Sequence, residues 1–187
     1  MNSKMMFFSN FLSNPKEVAA IAPSSKYLIR RILGHVALED AECLVEYGPG
    51  VGTVTNALLK NMGEDAKLVC FETNQKFCKF MNENIKDDRL IVVNDGAENL
   101  ENHLKRLNIG GIDYAFSGLP FTLIEPKSKK KIINKTRDML KQGGKLLVYQ
   151  QYSAMTRKYL KIYFKNIRTE LELRNMPPSY VFVCERK

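Results

Sequence analysis

Five short apolar runs punctuate the chain: CLVEYG at 43–48, KLVCFE at 67–72, RLIVVN at 89–94, IDYAFS at 112–117 and KLLVYQQ at 145–151. Each is bounded by polar or turn-forming residues and reads as a strand. Between them, apolar residues recur at helical spacing over 53–62, 74–85, 98–107 and 127–141. Strands that alternate with helices predict a parallel sheet covered on both faces. After the fifth strand the pattern changes to a basic helix at 154–165, then IRTELEL, a RNMPPS turn and YVFVCER. That tail predicts a closing antiparallel pair, because Pro177-Pro178 can continue neither element. Two more helices are expected ahead of the sheet, at 4–14 and 24–34. In the first, Met5, Phe7, Phe8, Phe11 and Leu12 fall on one side and Ser9, Asn10, Ser13 and Asn14 on the other. Such a face can dock on the protein's own core or enter a membrane interface, and the two are compatible.

Length adds little to this picture and charge adds more. With 187 residues and 44% hydrophobic content, the chain is expected to form one domain over 1–187: covering helices at 1–34 and a core at 43–187. Cys43, Cys70, Cys78 and Cys184 form no Cys-x-x-Cys pair and read as buried reduced thiols of an intracellular protein. His35 and His103 are too few for a His-based metal site, so no metal is expected. Polar residues interrupt the apolar start before a signal sequence is complete, and nothing later approaches the roughly 18 apolar residues of a membrane span. A soluble or peripheral protein is expected. Net charge is +9, unevenly spread: residues 1–126 hold 13 Lys plus Arg against 16 Asp plus Glu, whereas 127–187 hold 16 against 4. The basic third suits a phosphate-bearing partner, nucleic acid or anionic membrane, or is a solvated helix face.

Chemistry concentrates where the first strand ends, in LVEYGPGVGTVT. Gly48, Gly50 and Gly52 permit a sharp turn and close approach of a ligand. The spacing is neither Gly-x-Gly-x-x-Gly nor a Walker loop. What stands there is Glu46-x-Gly48-x-Gly50-x-Gly52, which resembles the first motif of class I S-adenosylmethionine (SAM) methyltransferases. SAM carries no phosphate, so the loop passes close to its amino acid and ribose portion, where a carboxylate suits a cationic ligand. Glu72 ends the second strand 20 residues after Gly52, where a carboxylate can accept both ribose hydroxyls. Asp95 follows the third strand, placed with the Ala97 amide to meet the adenine edge. Thr73 and Gly96 complete the cofactor-side positions.

The segment SGLPF, Ser117 to Phe121, ends the fourth strand, where the methyl group would leave. Transfer to nitrogen requires a lone pair held in line with the methyl–sulfur bond, and a proline-stiffened loop can hold an amine there. Ser117 and the carbonyls of Gly118 and Leu119 are candidate amine holders, and Leu119, Pro120 and Phe121 suit an apolar or aromatic acceptor. Together with FFSNFLSNPKEVAAIAPSSKYLIRRIL, FETNQKFCKFMNENI and RNMPPSYVFVCER, these motifs resemble the bacterial phospholipid N-methyltransferases almost end to end. That family methylates phosphatidylethanolamine, with close relatives acting on ornithine lipids. Met176 replaces its usual Leu, and Phe182 stands where the family often has Trp, a residue this chain lacks.

The resemblance implies an α/β fold: the class I methyltransferase Rossmann-like three-layer sandwich, its mostly parallel seven-stranded sheet closed by an antiparallel C-terminal strand, with added N-terminal helices. It implies SAM as cofactor, a lipid amine as acceptor, and a cytoplasmic protein peripheral at the inner face of the membrane, touching anionic lipid through its N-terminal helix and basic residues. Tyr27 could face the acceptor amine or sit in the core; Lys26 and Arg30 could bind a lipid phosphate or be surface cations. Two alternatives stay open. One is a nucleic acid base methyltransferase resembling the rRNA adenine dimethylases, which usually carry Asn at the position of Ser117. The other is a SAM- or lipid-binding protein without catalysis.

Overall fold

The computed structural model of the protein describes residues 24–151 and 154–186; the Phe-rich helix expected at 4–14 lies outside them. The chain runs α1 (Lys26–Leu33), β1 (Cys43–Tyr47), α2 (Thr53–Asn61), β2 (Lys67–Phe71), α3 (Gln75–Asn84), β3 (Leu90–Val93), a 3-10 turn (Ala97–Asn99), α4 (Leu100–Arg106), β4 (Ile112–Ser117), α5 (Pro126–Met139), β5 (Leu140–Gln151), α6 (Ala154–Leu160), β6 (Asn166–Glu172) and β7 (Ser179–Glu185). The strands form one sheet in the order β3-β2-β1-β4-β5-β7-β6. β1 to β5 are parallel, and β7 runs antiparallel to both of its neighbours. This is the expected Rossmann-like sandwich. Every residue of β1 is buried, which is why it reads as a continuous run rather than an alternating one. On one face Val45, Tyr47, Ala115 and Val148 pack under Leu100, Leu104, Ile132 and Leu160 of α4, α5 and α6. On the other Leu44, Leu68, Phe116 and Leu147 pack under Leu28, Ile32, Leu58 and Met81 of α1, α2 and α3.

The chain moves outward from β1 to β3 and then returns to β4 on the other side of β1. That reversal opens a crevice at the carboxyl ends of β1 and β4, the usual ligand position in such sheets. Tyr47 pairs with Phe71 and Ser117, and Gln151 pairs with Ser179. The loops after β1, β2, β4 and β5 and the β6–β7 turn therefore share one edge.

The largest departures from the expected boundaries flank β5. Helix α5 stops at Met139 because Leu140 turns extended and buried, and β5 begins there instead of at Lys145. The extra residues make an irregularity: Ile112 pairs with Leu140 and Tyr114 with Lys145. Helix α6 ends at Leu160, whose carbonyl then accepts the Tyr163 and Phe164 N–H groups and turns Phe164 into the core.

Helix α1 is fastened to the far strands. The Ser25 hydroxyl caps it by accepting the Leu28 N–H at 3.2 Å, and the Ser25 N–H donates to Asn175 Oδ1 at 2.9 Å. Arg31 pairs with Glu170 at 2.7 Å and Glu172 at 2.9 Å. Glu172 is buried and also accepts the side chain and N–H of Arg174, which pushes its carboxyl down to about 2, with Arg31 adding to the effect. A depressed carboxyl contributes stability that is complete above its unfolded value and lost as pH falls toward the folded one. Thermal melts between pH 6 and 2.5 are expected to fall below about pH 4.5. Glu172→Gln is expected to melt lower at neutral pH with a flatter acid limb; an unchanged acid limb would remove Glu172 from the account.

Candidate active site

Gly48 and Gly50 shape the loop after β1. Gly48 has φ +67°, and a Cβ there would stand 3.0 Å from Leu119 Cδ2, so the glycine lets the loop after β4 lie against it. Gly50 has φ +58°, and a Cβ there would meet nothing within 4 Å: this position faces open space. Gly52 is buried, where a Cβ would collide with Ile85 Cδ1 at 2.6 Å. The Gly50 N–H donates to Glu72 Oε2 at 3.2 Å, and the Asn74 N–H donates to Oε1 at 2.9 Å. Glu72 thus bridges the loop after β1 and the end of β2, half-buried, with each carboxylate oxygen keeping a lone pair. The Asn94 side chain donates to the carbonyls of Glu72 at 2.9 Å and of exposed Thr73 at 3.1 Å. An open glycine beside a carboxylate with spare acceptors fits a ribose diol, so these residues suit SAM.

Asp95 is fixed more firmly than the sequence suggested. Its Oδ1 accepts the Gly96 N–H at 2.7 Å and the Asn99 side chain at 2.9 Å, and its Oδ2 meets His103 Nε2 at 2.8 Å. These bonds, His103 foremost, push the carboxyl down to about 2. His103, given no role above, packs its ring edge-on against Phe71 at 5.6 Å. The only trace in sequence is the spacing Asp95, Asn99, His103. Ala97 is buried in the 3-10 turn that follows.

Glu46 sits beneath the loop rather than on its open side. Its side chain is wholly buried; Oε2 accepts the Thr55 hydroxyl at 2.6 Å and the Cys70 thiol at 3.6 Å, and Oε1 accepts the Tyr149 hydroxyl at 3.3 Å. Burial raises its carboxyl to about 7. Through these bonds the carboxyl supports the glycine loop from below.

On the acceptor side, Ser117 is buried and its Oγ accepts the Leu119 N–H at 3.4 Å. Gly118 donates its N–H to the Tyr47 carbonyl at 2.9 Å. The Leu119 carbonyl already accepts the Phe121 N–H at 2.9 Å, while among the described residues the Gly118 carbonyl takes no hydrogen bond. Phe121 turns into the core, so the apolar surface left to an acceptor comes from half-buried Leu119 and exposed Pro120. Gln150, unremarked in the sequence, holds this turn: its Oε1 accepts the Phe121 N–H at 3.3 Å and its amide donates to Thr156. Tyr27 is half-buried, with the Arg174 guanidinium 4.3 Å and Lys26 Nζ 5.2 Å from its ring centre. It is therefore neither a core residue nor free of cations. Lys26, next to Ser25 and its bond to Asn175, is exposed at the β6–β7 end of the same edge, beyond β5 from the crevice, and Arg30 is exposed one turn further along α1.

Among the described residues no group of three His, Cys, Asp or Glu side chains could hold a metal ion, and no helix is long and apolar enough to cross a membrane. Residues 1–106 match the ribosomal RNA adenine dimethylase family. The chain belongs to that family. A curated relative from Singulisphaera acidiphila, an ornithine lipid N-methyltransferase, is 22% identical over 98% of this chain and 96% of its own length. The fold recurs in an rRNA methylase of Streptococcus thermophilus, with TM-score 0.61 and 19% identity over 94% of this chain and 99% of the other. It recurs as well in precorrin-6y C5,15-methyltransferase of Geobacter metallireducens, with TM-score 0.65 and 14% identity over 86% and 88%. As a member of the dimethylase family the protein is a class I SAM-dependent methyltransferase, and the resemblance to lipid N-methyltransferases stands beside that membership.

Proposed function

We propose that the protein methylates the amine of a membrane lipid head group, of the phosphatidylethanolamine or ornithine-lipid kind. The observation that carries this reading is the surface of the catalytic edge. Leu123, after the acceptor loop, is 81% exposed, and Leu173 and Met176, in the β6–β7 turn, are 68% and 82% exposed. Lys26 and Arg174 are exposed at that turn, both against the Tyr27 ring, and Lys127 is exposed in the first turn of α5, four residues after Leu123. Apolar side chains flanked by cations suit an anionic lipid interface. The Singulisphaera relative supports the same acceptor class.

In this reading Glu72 holds the ribose, the backbone of Gly48 to Gly52 passes along the amino acid portion, and Asp95, with Gly96 and Ala97 beside it, holds the adenine. Thr73 lies at the rim. Bound SAM supplies an electrophilic methyl on a sulfonium. Ser117 Oγ and the Gly118 carbonyl orient the acceptor nitrogen, while Leu119 and Pro120 shield that side from water. Orientation is the main contribution, because in-line placement alone lowers a barrier by several kcal/mol. The amine loses its proton to water before transfer.

A second reading, methylation of an rRNA adenine, draws on the family match and on the 16 Lys and Arg of residues 127–187. Radiolabelled SAM with total lipid extract and total RNA side by side separates the two. Label in the lipid fraction alone is expected; label in RNA alone would overturn the lipid reading.

A further inference from the structure

The acceptor loop and the cofactor loop are also joined below the surface. Tyr149 lies on β5, separated from β1 by β4, yet its hydroxyl reaches Glu46 Oε1 at 3.3 Å. It crosses at Gly118: a Cβ on Gly118 would stand 3.2 Å from Tyr149 Cε2, 3.3 Å from its hydroxyl and 3.2 Å from the Gly48 carbonyl. The glycine is the gap through which the phenol passes. The other carboxyl oxygen of Glu46 takes the hydroxyl of Thr55, in the first turn of α2 directly after the glycine loop. Glu46, Thr55 and Cys70 are wholly buried and Tyr149 nearly so. Buried hydrogen bonds of this kind have no water to replace a lost partner.

We infer that Tyr149 is a positioning residue that couples the acceptor loop to the cofactor loop, resting on Gly118 and bonding to Glu46, which in turn holds the first turn of α2. This rests on SAM binding at the glycine loop and is independent of which amine is methylated. The groups facing Glu46 are the Thr55 hydroxyl from α2, the Cys70 thiol from β2 and the Tyr149 hydroxyl from β5, with the Glu72 carboxylate acting as a like charge from the end of β2. Burial first, and Glu72 in addition, place this carboxyl at about 7, so it changes charge near neutral pH. The Tyr149 hydroxyl favours its ionised form.

The test is Tyr149→Phe, which keeps the ring over Gly118 and deletes only the hydroxyl. SAM binding by calorimetry from pH 6 to 8.5 and hydrogen exchange of the protein without ligand are both measured, with the wild type as reference. SAM affinity is expected to fall roughly 3- to 10-fold. The pH midpoint of binding should move upward, because the carboxylate has lost a donor. Amide exchange should rise in 48–56 as well as in 118–123, although the substitution is on β5. Glu46→Gln, which cannot titrate, should flatten the pH profile, and it serves if Tyr149→Phe fails to fold. Exchange confined to 118–123, with affinity and pH profile as in the wild type, would overturn the coupling. A wild type that binds no SAM would instead refute the cofactor reading beneath it.

Discussion

Glu72→Ala is expected to weaken SAM binding by a factor on the order of 100 or more, measured by calorimetry on folded protein. Its carboxylate already accepts the Gly50 and Asn74 N–H groups, each oxygen keeps a lone pair, and a Cβ on the adjoining Gly50 would meet nothing within 4 Å. A ribose diol would bond there through two charge-assisted contacts, each contributing about 1.5–3 kcal/mol. At about 1.4 kcal/mol per decade, both together account for the loss. The same substitution also releases Gly50, so the loop would relax as well as lose a contact. Glu72→Gln keeps an acceptor oxygen and should fall between the two. Affinity within threefold of wild type in Glu72→Ala would sink the ribose assignment.

Glu72 was legible because both-face-buried parallel strands read as unbroken apolar runs, so the residue ending each run is easily placed at the ligand edge. Asp95 follows β3, an edge strand that is only half-buried but just as apolar in sequence, whereas the same logic located Gly48 and Ser117. It says nothing about what reaches those residues from elsewhere. Tyr149 meets Glu46 across 103 residues of sequence and Gln150 meets Phe121 across 29, and no local pattern encodes such pairs. It also misjudges which way a loop side chain points. Phe121 reads as acceptor surface beside Leu119 and Pro120, but the Gln150 bond to its N–H and the core on that face turn it inward. The early start of β5 was hidden for a related reason: Lys141 to Gly144 look like a helix end followed by a turn, and they fall inside the strand because Leu140 before them and Lys145 after them both pair with β4.

Gly48→Ala is the second large effect, and it acts on both sides of the crevice. An L-residue at φ +67° carries a backbone cost of about 1–2 kcal/mol, which should lower SAM affinity roughly 5- to 30-fold if the loop relaxes to a different shape. The new Cβ would also press on Leu119 Cδ2 at 3.0 Å. That contact is the far end of a flexible side chain, so Leu119 yields by a few tenths of an ångström and the apolar wall that it offers the acceptor moves with it. In-line transfer is sensitive to small displacements of the groups that hold the acceptor, so turnover on the labelled acceptor should fall more steeply than affinity. Leu119→Ala separates the two causes, since it removes the collision and leaves the backbone strain. In the double variant turnover should exceed the product of the two single effects, while SAM affinity stays as low as in Gly48→Ala alone. Strict additivity in turnover would mean that the two loops touch without influencing each other, and the effect of Gly48 would then reduce to backbone strain in the cofactor loop.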